Sequence, residues 1–204
     1  MTARQQPSGK ARRRYEPDRR QRLVEATLDV IAARGVAGTT HRQVAAAADV
    51  PLGSVSYHFA GLDDLLTSAF THLAQTMATA FEERMAAIEP GTDARANVVE
   101  SMLADLADNQ RSAVLTYELY AAAARNPRLR DITQAWMDRS RRALQRHFDP
   151  GTAEALDALI EGLVLHATLS TRPIDARKIQ DAVGRLIPGT SPADRPFDPS
   201  ERHP

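Results

Sequence analysis

From Leu62 to Ile88 the apolar residues fall at Leu62, Leu65, Leu66, Ala69, Phe70, Leu73, Met77, Ala80, Phe81, Met85 and Ile88. This i, i+3/i+4 rhythm holds for more than 25 residues, and only an α-helix brings such positions onto one face. At 1.5 Å per residue such a helix spans roughly 40 Å, more than the width of a small domain. It must therefore leave one packed unit and enter another. No stretch of the chain shows the two-residue alternation of a half-buried strand, and aromatics make up only 5% of it. The expected fold class is all-α.

The same rhythm divides the remainder. Leu23, Ala26, Thr27, Val30, Ile31 and Ala33 predict a helix over 18–34, with Asp18 as N-cap and Gly35 as its stop. Gly38-Thr39-Thr40 supplies a turn and a new cap, and a short helix over 41–48 buries Val44, Ala45 and Ala48. Asp49-Val50-Pro51 turns the chain again. Pro51 suits the first turn of a third helix, Leu52 to Phe59, where its missing N–H is no loss. Ala60-Gly61 breaks that helix, and Pro90-Gly91 ends the long one. Further helices are expected over 92–108, 110–125, 127–148, 152–170 and 173–187. Residues 1–17 and 188–204 lack apolar period and are expected to be a disordered basic arm and a disordered Pro-rich tail. A head over 18–66 and a larger helical domain over 67–187 lie between them.

Net charge is zero, from 26 basic and 26 acidic residues, but it is unevenly spread. Residues 1–60 hold ten Lys and Arg against five Asp and Glu. A basic head on an acidic body suits a chain that meets phosphates at one end. The absence of cysteine excludes a disulfide scaffold and any thiolate site. No apolar run approaches the roughly 20 residues of a membrane span, and no apolar stretch follows the basic N-terminus. A soluble, cytoplasmic protein is expected. The histidines at 41, 58, 72, 147 and 166 have no metal-ligand spacing, and there is no phosphate loop or nucleophile elbow. Neither catalysis nor a cofactor is expected.

Residues 51–62 read PLGSVSYHFAGL. A helix built only to fill a core would carry Leu and Ala here. Two short helices joined by a tight turn, the second thin and polar outside, form a helix-turn-helix, whose second helix enters the major groove. Gly53 permits close approach to a duplex. Ser54 and Ser56 suit base edges or phosphates, and Tyr57 and His58 suit phosphate oxygens. Val55 and Phe59 point into the core.

The span RRQRLVEATLDVIAARGVAGTTHRQVAAAADVPLGSVSYHFAGLDDLL resembles the DNA-binding domain of the TetR family of transcriptional repressors. Its glycine, aromatic, His-Phe and following leucines occur in the family's register. LYAAAARNPRLRDITQAWMDRSRRAL and LDALIEGLVLHATL are similar to the family's regulatory domain. The resemblance implies a homodimer on a near-palindromic DNA operator, with a small-molecule inducer in each helical domain moving the long helix. By position, the family's DNA contacts fall on Thr40, Arg42, Leu52, Gly53, Ser54, Ser56, Tyr57 and His58. Leu62 stands where the family often has a phosphate-binding Lys, and Arg12 to Arg14 with Arg19 and Arg20 are candidates to replace that contact. The last two helices are implied to form a four-helix dimer bundle through Leu156, Leu159, Ile160, Leu163, Val164, Ile179, Val183, Leu186 and Ile187.

For the ligand, Glu118 shares an apolar stripe with Leu115, Leu119 and Ala122. A buried carboxylate there needs a partner: a cationic ligand or, as the preferred reading, an Arg of helix 127–148. Phe70, Met77, Met102, Tyr117, Trp136 and His166 complete the candidate lining. The alternative function is a helical protein-binding adaptor without DNA recognition, which leaves the charge split and the Gly-Ser-Val-Ser-Tyr-His face unexplained.

Overall fold

A computed structural model describes residues 18–89, 92–108, 110–172 and 175–187, without the side chains of Met102 and residues 104–108. The basic arm, the Pro90-Gly91 break, Pro173, the Pro-rich tail and the Met102 side chain lie outside the described residues. Nine helices fill the described chain, and each arises from a signal in its own sequence.

The first, α1 (Arg19–Arg34), ends at Gly35, whose φ of +71° is open to glycine and strained for other residues. Asp18 holds the N-cap position through its backbone carbonyl, which accepts the Arg22 N–H at 2.9 Å, and not through its side chain. Thr40 caps α2 (His41–Ala47): its hydroxyl oxygen accepts the Gln43 N–H and its proton goes to the Gln43 side chain at 3.0 Å. Pro51 stands just before α3 (Leu52–His58) instead of inside it, and extended Phe59 ends that helix. The long helix is α4 (Leu62–Ala86). Then follow α5 (Ala94–Asp108), α6 (Gln110–Ala123), α7 (Pro127–Leu144), α8 (Pro150–Leu169) and α9 (Ala176–Leu186). The start of α8 comes two residues before the expected 152, because Asp149 caps it by accepting the Gly151 and Thr152 N–H groups and Pro150 fits its first turn.

Two cores hold these helices. The first joins α1, α2 and α3 to α4, α6 and α7 through Leu23, Ile31, Val44, Val55, Phe70, Leu115, Leu119 and Leu129. It runs unbroken across residue 66, so apolar packing links the head to the helical domain. The second core unites the end of α4 with α5, α7, α8 and α9 through Met85, Val98, Leu144, Leu156, Ile179 and Val183. Leu156, Ile179 and Val183 are thus covered inside the protomer. From Ala158 onward the α8 positions that lie open are Ala158, Gly162, Leu165, His166 and Leu169, the last 71% exposed.

Candidate nucleic-acid interface and ligand cavity

One face of α3 is buried and the other is bare. Val55 and Phe59 are sealed in the first core, while Leu52 is 48% and Tyr57 84% exposed. Gly53 and Ser56 are also exposed, Ser54 and His58 half-buried, and nothing lies within 4 Å of where a Gly53 side chain would start. Tyr57 stacks edge-on against His58 with ring centroids 5.0 Å apart. Arg42 and Thr40 are exposed at the N-terminal end of α2, the helix that precedes α3. A phenol, an imidazole and two hydroxyls on α3, with a guanidinium on α2, form the donor set that phosphates and base edges accept.

These helices are braced from behind. Arg22 donates to the Ala48 carbonyl (2.7 Å), satisfying the end of α2. Arg20 lies 4.9 Å from the Phe59 ring centre and donates to Ser68 Oγ (3.0 Å), tying α1 and the end of α3 to α4. Arg20 thus braces the head while its side chain stays exposed. Asp64 accepts the Ala60 N–H (3.0 Å), and Leu62, in place of the expected cation, packs half-buried on the head's core.

In the helical domain α4, α6, α7 and α8 line a partly open cavity of about 100 Å³. Met77, Phe81, Tyr117 and Trp136 supply apolar and aromatic wall, and Ser112, Thr116, Ser140, Arg84, Asp157 and Glu161 supply polarity. Arg84 is turned to Ser101 Oγ (2.7 Å) and toward the Phe81 ring. Asp157 is paired with Arg141 at 3.0 Å, yet burial still lifts its carboxyl above the usual range. Burial likewise lifts the Glu161 carboxyl, with the neighbouring Tyr120 phenol opposing that shift and Asp157 adding to it. The Tyr117 phenol lies beside Thr168, whose own proton goes to the Val164 carbonyl (2.8 Å), and it makes no well-formed hydrogen bond.

The two halves of this arrangement match known proteins together. Residues 23–69 match the profile of bacterial regulatory proteins of the tetR family, and residues 90–189 that of the tetracyclin repressor-like C-terminal domain. The HTH-type transcriptional regulator BetI of Paraburkholderia xenovorans LB400 is 31% identical over 170 residues, covering 78% of this chain and 86% of its own. The chain belongs to the TetR family. Among solved TetR-like structures, SCO7518 of Streptomyces coelicolor A3(2) is 44% identical with a TM-score of 0.77, covering 85% of this chain and 100% of its own. The multidrug binding protein EbrR complexed with ethidium is 37% identical with a TM-score of 0.74 at the same coverages. As a TetR-family member the protein is a DNA-binding transcriptional repressor with a ligand-binding domain, and its relatives are regulators, not enzymes. Among the described residues no helix is long and apolar enough to cross a membrane.

All eight residues assigned to DNA from sequence lie on α3 or at the start of α2. The ligand set is dispersed. Met77, Tyr117 and Trp136 line the cavity. Phe70 is wholly buried in the first core, and His166 is exposed on α8. Glu118 has neither a cavity position nor an Arg of α7; its Oε2 accepts the Val36 N–H at 2.8 Å. The carboxyls that do line the cavity, Asp157 and Glu161, went unremarked in the sequence. Their signal was present, since they stand one turn apart in the most apolar helix of the chain.

Proposed function

We propose that the protein represses transcription as a homodimer on a near-palindromic operator, and that a flat aromatic cation in the α4–α6–α7–α8 cavity releases it. The observation that carries the DNA half is the bare face of α3, where an 84% exposed Tyr57 sits on a helix whose other face is fully sealed. A tyrosine left in solvent by an otherwise well-packed head is what a groove-reading helix needs. Thr40, Arg42, Leu52, Gly53, Ser54, Ser56, Tyr57 and His58 are the contacts assigned to it. The open face of α8, Ala158, Gly162, Leu165 and Leu169, is the assigned dimer seam: its small residues admit a close helix and its leucines bury on association.

The cavity chemistry supports the ligand class. Phe81, Tyr117 and Trp136 offer π-faces, and Glu161 offers a carboxyl that a cation would draw into its charged form. EbrR binds ethidium, proflavin and malachite green, which are flat or propeller-shaped aromatic cations. Genomic fragments selected on the purified protein at moderate salt test the reading. Enriched near-palindromes whose half-sites lie about one helical turn apart, released by ethidium, would support it. A folded protein that enriches no fragment, or a monomer on a single half-site, would overturn it.

A further inference from the structure

α6 carries two faces. Ser112, Ala113, Thr116 and Tyr117 line the cavity, while Arg111 and Glu118 reach away from it to α1. Arg111 Nη2 donates to Asp29 at 2.6 Å, and Glu118 Oε2 accepts the Val36 N–H at 2.8 Å. Both links join residues 82 apart in sequence, so α6 and the end of α1 run side by side in the same direction, pinned two turns apart. The Val36 site is where α1 hands over to the helix-turn-helix. Gly35 stops α1, Thr39 returns its hydroxyl proton to the Gly35 carbonyl (2.9 Å), and Thr40 then caps α2. A side chain at Gly35 would begin 3.0 Å from Glu118 Oε1, so the carboxylate lies directly against this turn.

The other cavity walls are tied to one another. Arg139 clamps Glu82 with two bonds (2.6 and 2.7 Å), joining α7 to α4, and Arg141 joins α7 to α8 through Asp157. Among the described residues, the ion pair of α6 goes to the head instead. The cavity, at about 100 Å³, is far below the roughly 300–1,000 Å³ of sites that hold drug-sized ligands. An occupant of that size has to project through the mouth or shift a wall.

We propose that Glu118 is a coupling residue: α6 and α1 already share a core and the Arg111–Asp29 pair, and the grip of Glu118 on the Val36 amide fastens the turn after α1 to α6 as well, so that a ligand displacing α6 turns the helix-turn-helix by a route separate from α4. This rests on the ligand-released repression proposed above. Glu118 touches neither the ligand nor DNA, and its effect is on the free energy that links the two sites.

The test compares the full-length wild type with Glu118→Ala and Glu118→Gln, whose amide oxygen still accepts the Val36 N–H. Three quantities are measured: ethidium affinity by fluorescence, operator affinity with and without saturating ethidium, and the exchange rate of the Val36 amide. Ethidium is expected to weaken operator binding by roughly 5–150-fold in the wild type and in Glu118→Gln. In Glu118→Ala that factor is expected to fall below about twofold with ethidium affinity unchanged, and the Val36 amide to exchange at least about tenfold faster. A wild-type release factor retained in Glu118→Ala would overturn the proposal, as would equal loss in both variants. If ethidium leaves operator affinity unchanged even in the wild type, the ligand reading fails. The latch then stands or falls on the exchange rate, and an unaltered rate in Glu118→Ala refutes it.

Discussion

Arg141 of α7 donates to Asp157 of α8 at 3.0 Å, one turn before Glu161 on the same helix. The guanidinium thus answers one of the two carboxyls of the cavity and leaves the other to the Tyr120 phenol. Glu161 is then the group on which a cationic ligand gains most. Glu161→Gln keeps the shape and removes the charge. It is expected to weaken ethidium binding at least about tenfold, or about 1.4 kcal/mol, while operator affinity without ligand stays as it was. Fluorescence titration beside an operator gel-shift checks both halves.

The same carboxyl sets a pH dependence. Its ordinary value is 4.5, and burial raises it in the folded protein. Below pH 4.5 the group is protonated whether the chain is folded or not, and its burial costs nothing. As pH rises past that value the unfolded chain ionises first, and stability is lost until the raised folded value has been passed. Glu161→Gln is therefore expected to melt with the wild type in acid and above it at neutral pH, the gap opening as pH climbs. Thermal melts between about pH 4 and about pH 8 read that gap. A constant difference would show that the carboxyl does not titrate as its burial demands.

Tyr57 and Arg42 are exposed, and the ring contact of Tyr57 is with its chain neighbour His58. Tyr57→Ala and Arg42→Ala are each expected to cost about 1–3 kcal/mol of operator binding with melting temperature and dimer unchanged. Arg42→Ala is also expected to lower the slope of log affinity against log salt by about one. Loss of the dimer in either variant would withdraw the assignment.

Gly162 has nothing within 4 Å of the position a side chain would take, and it lies on the open face of α8 with Leu165 and Leu169. Gly162→Glu is expected to leave the helical content intact and to yield monomers in sedimentation. Operator affinity should fall with it, because two half-sites are no longer read by one tethered pair. A dimer that survives this charge would place the seam elsewhere.

The helices were legible because their causes are local. Gly35, Thr40 and the Leu62–Ile88 rhythm act within a turn or two of themselves, and each element came out within a few residues of its expected bounds. The bare face of α3 was legible for a related reason. A helix-turn-helix packs as a short, contiguous unit, so the spacing of Val55 and Phe59 decides which side of α3 faces out. The cavity was less so. Glu118 and Glu161 both interrupt apolar stripes, and periodicity assigns each to a face without saying what lies opposite. Leu156, Ile179 and Val183 suffered the same ambiguity: an apolar stripe demands a cover, but α5 and a partner subunit satisfy that demand equally well on paper.

By itself, the sequence determined nine helices in order, a small basic head and the side of α3 that meets solvent, since backbone propensity and 3.6-residue spacing act over short distances. Tertiary structure alone decided that Glu118 meets Val36 across 82 residues and that Arg141 pairs with Asp157. Those pairings depend on how whole helices lie against one another. That is fixed by the summed packing of two cores, a quantity no single stretch of chain contains.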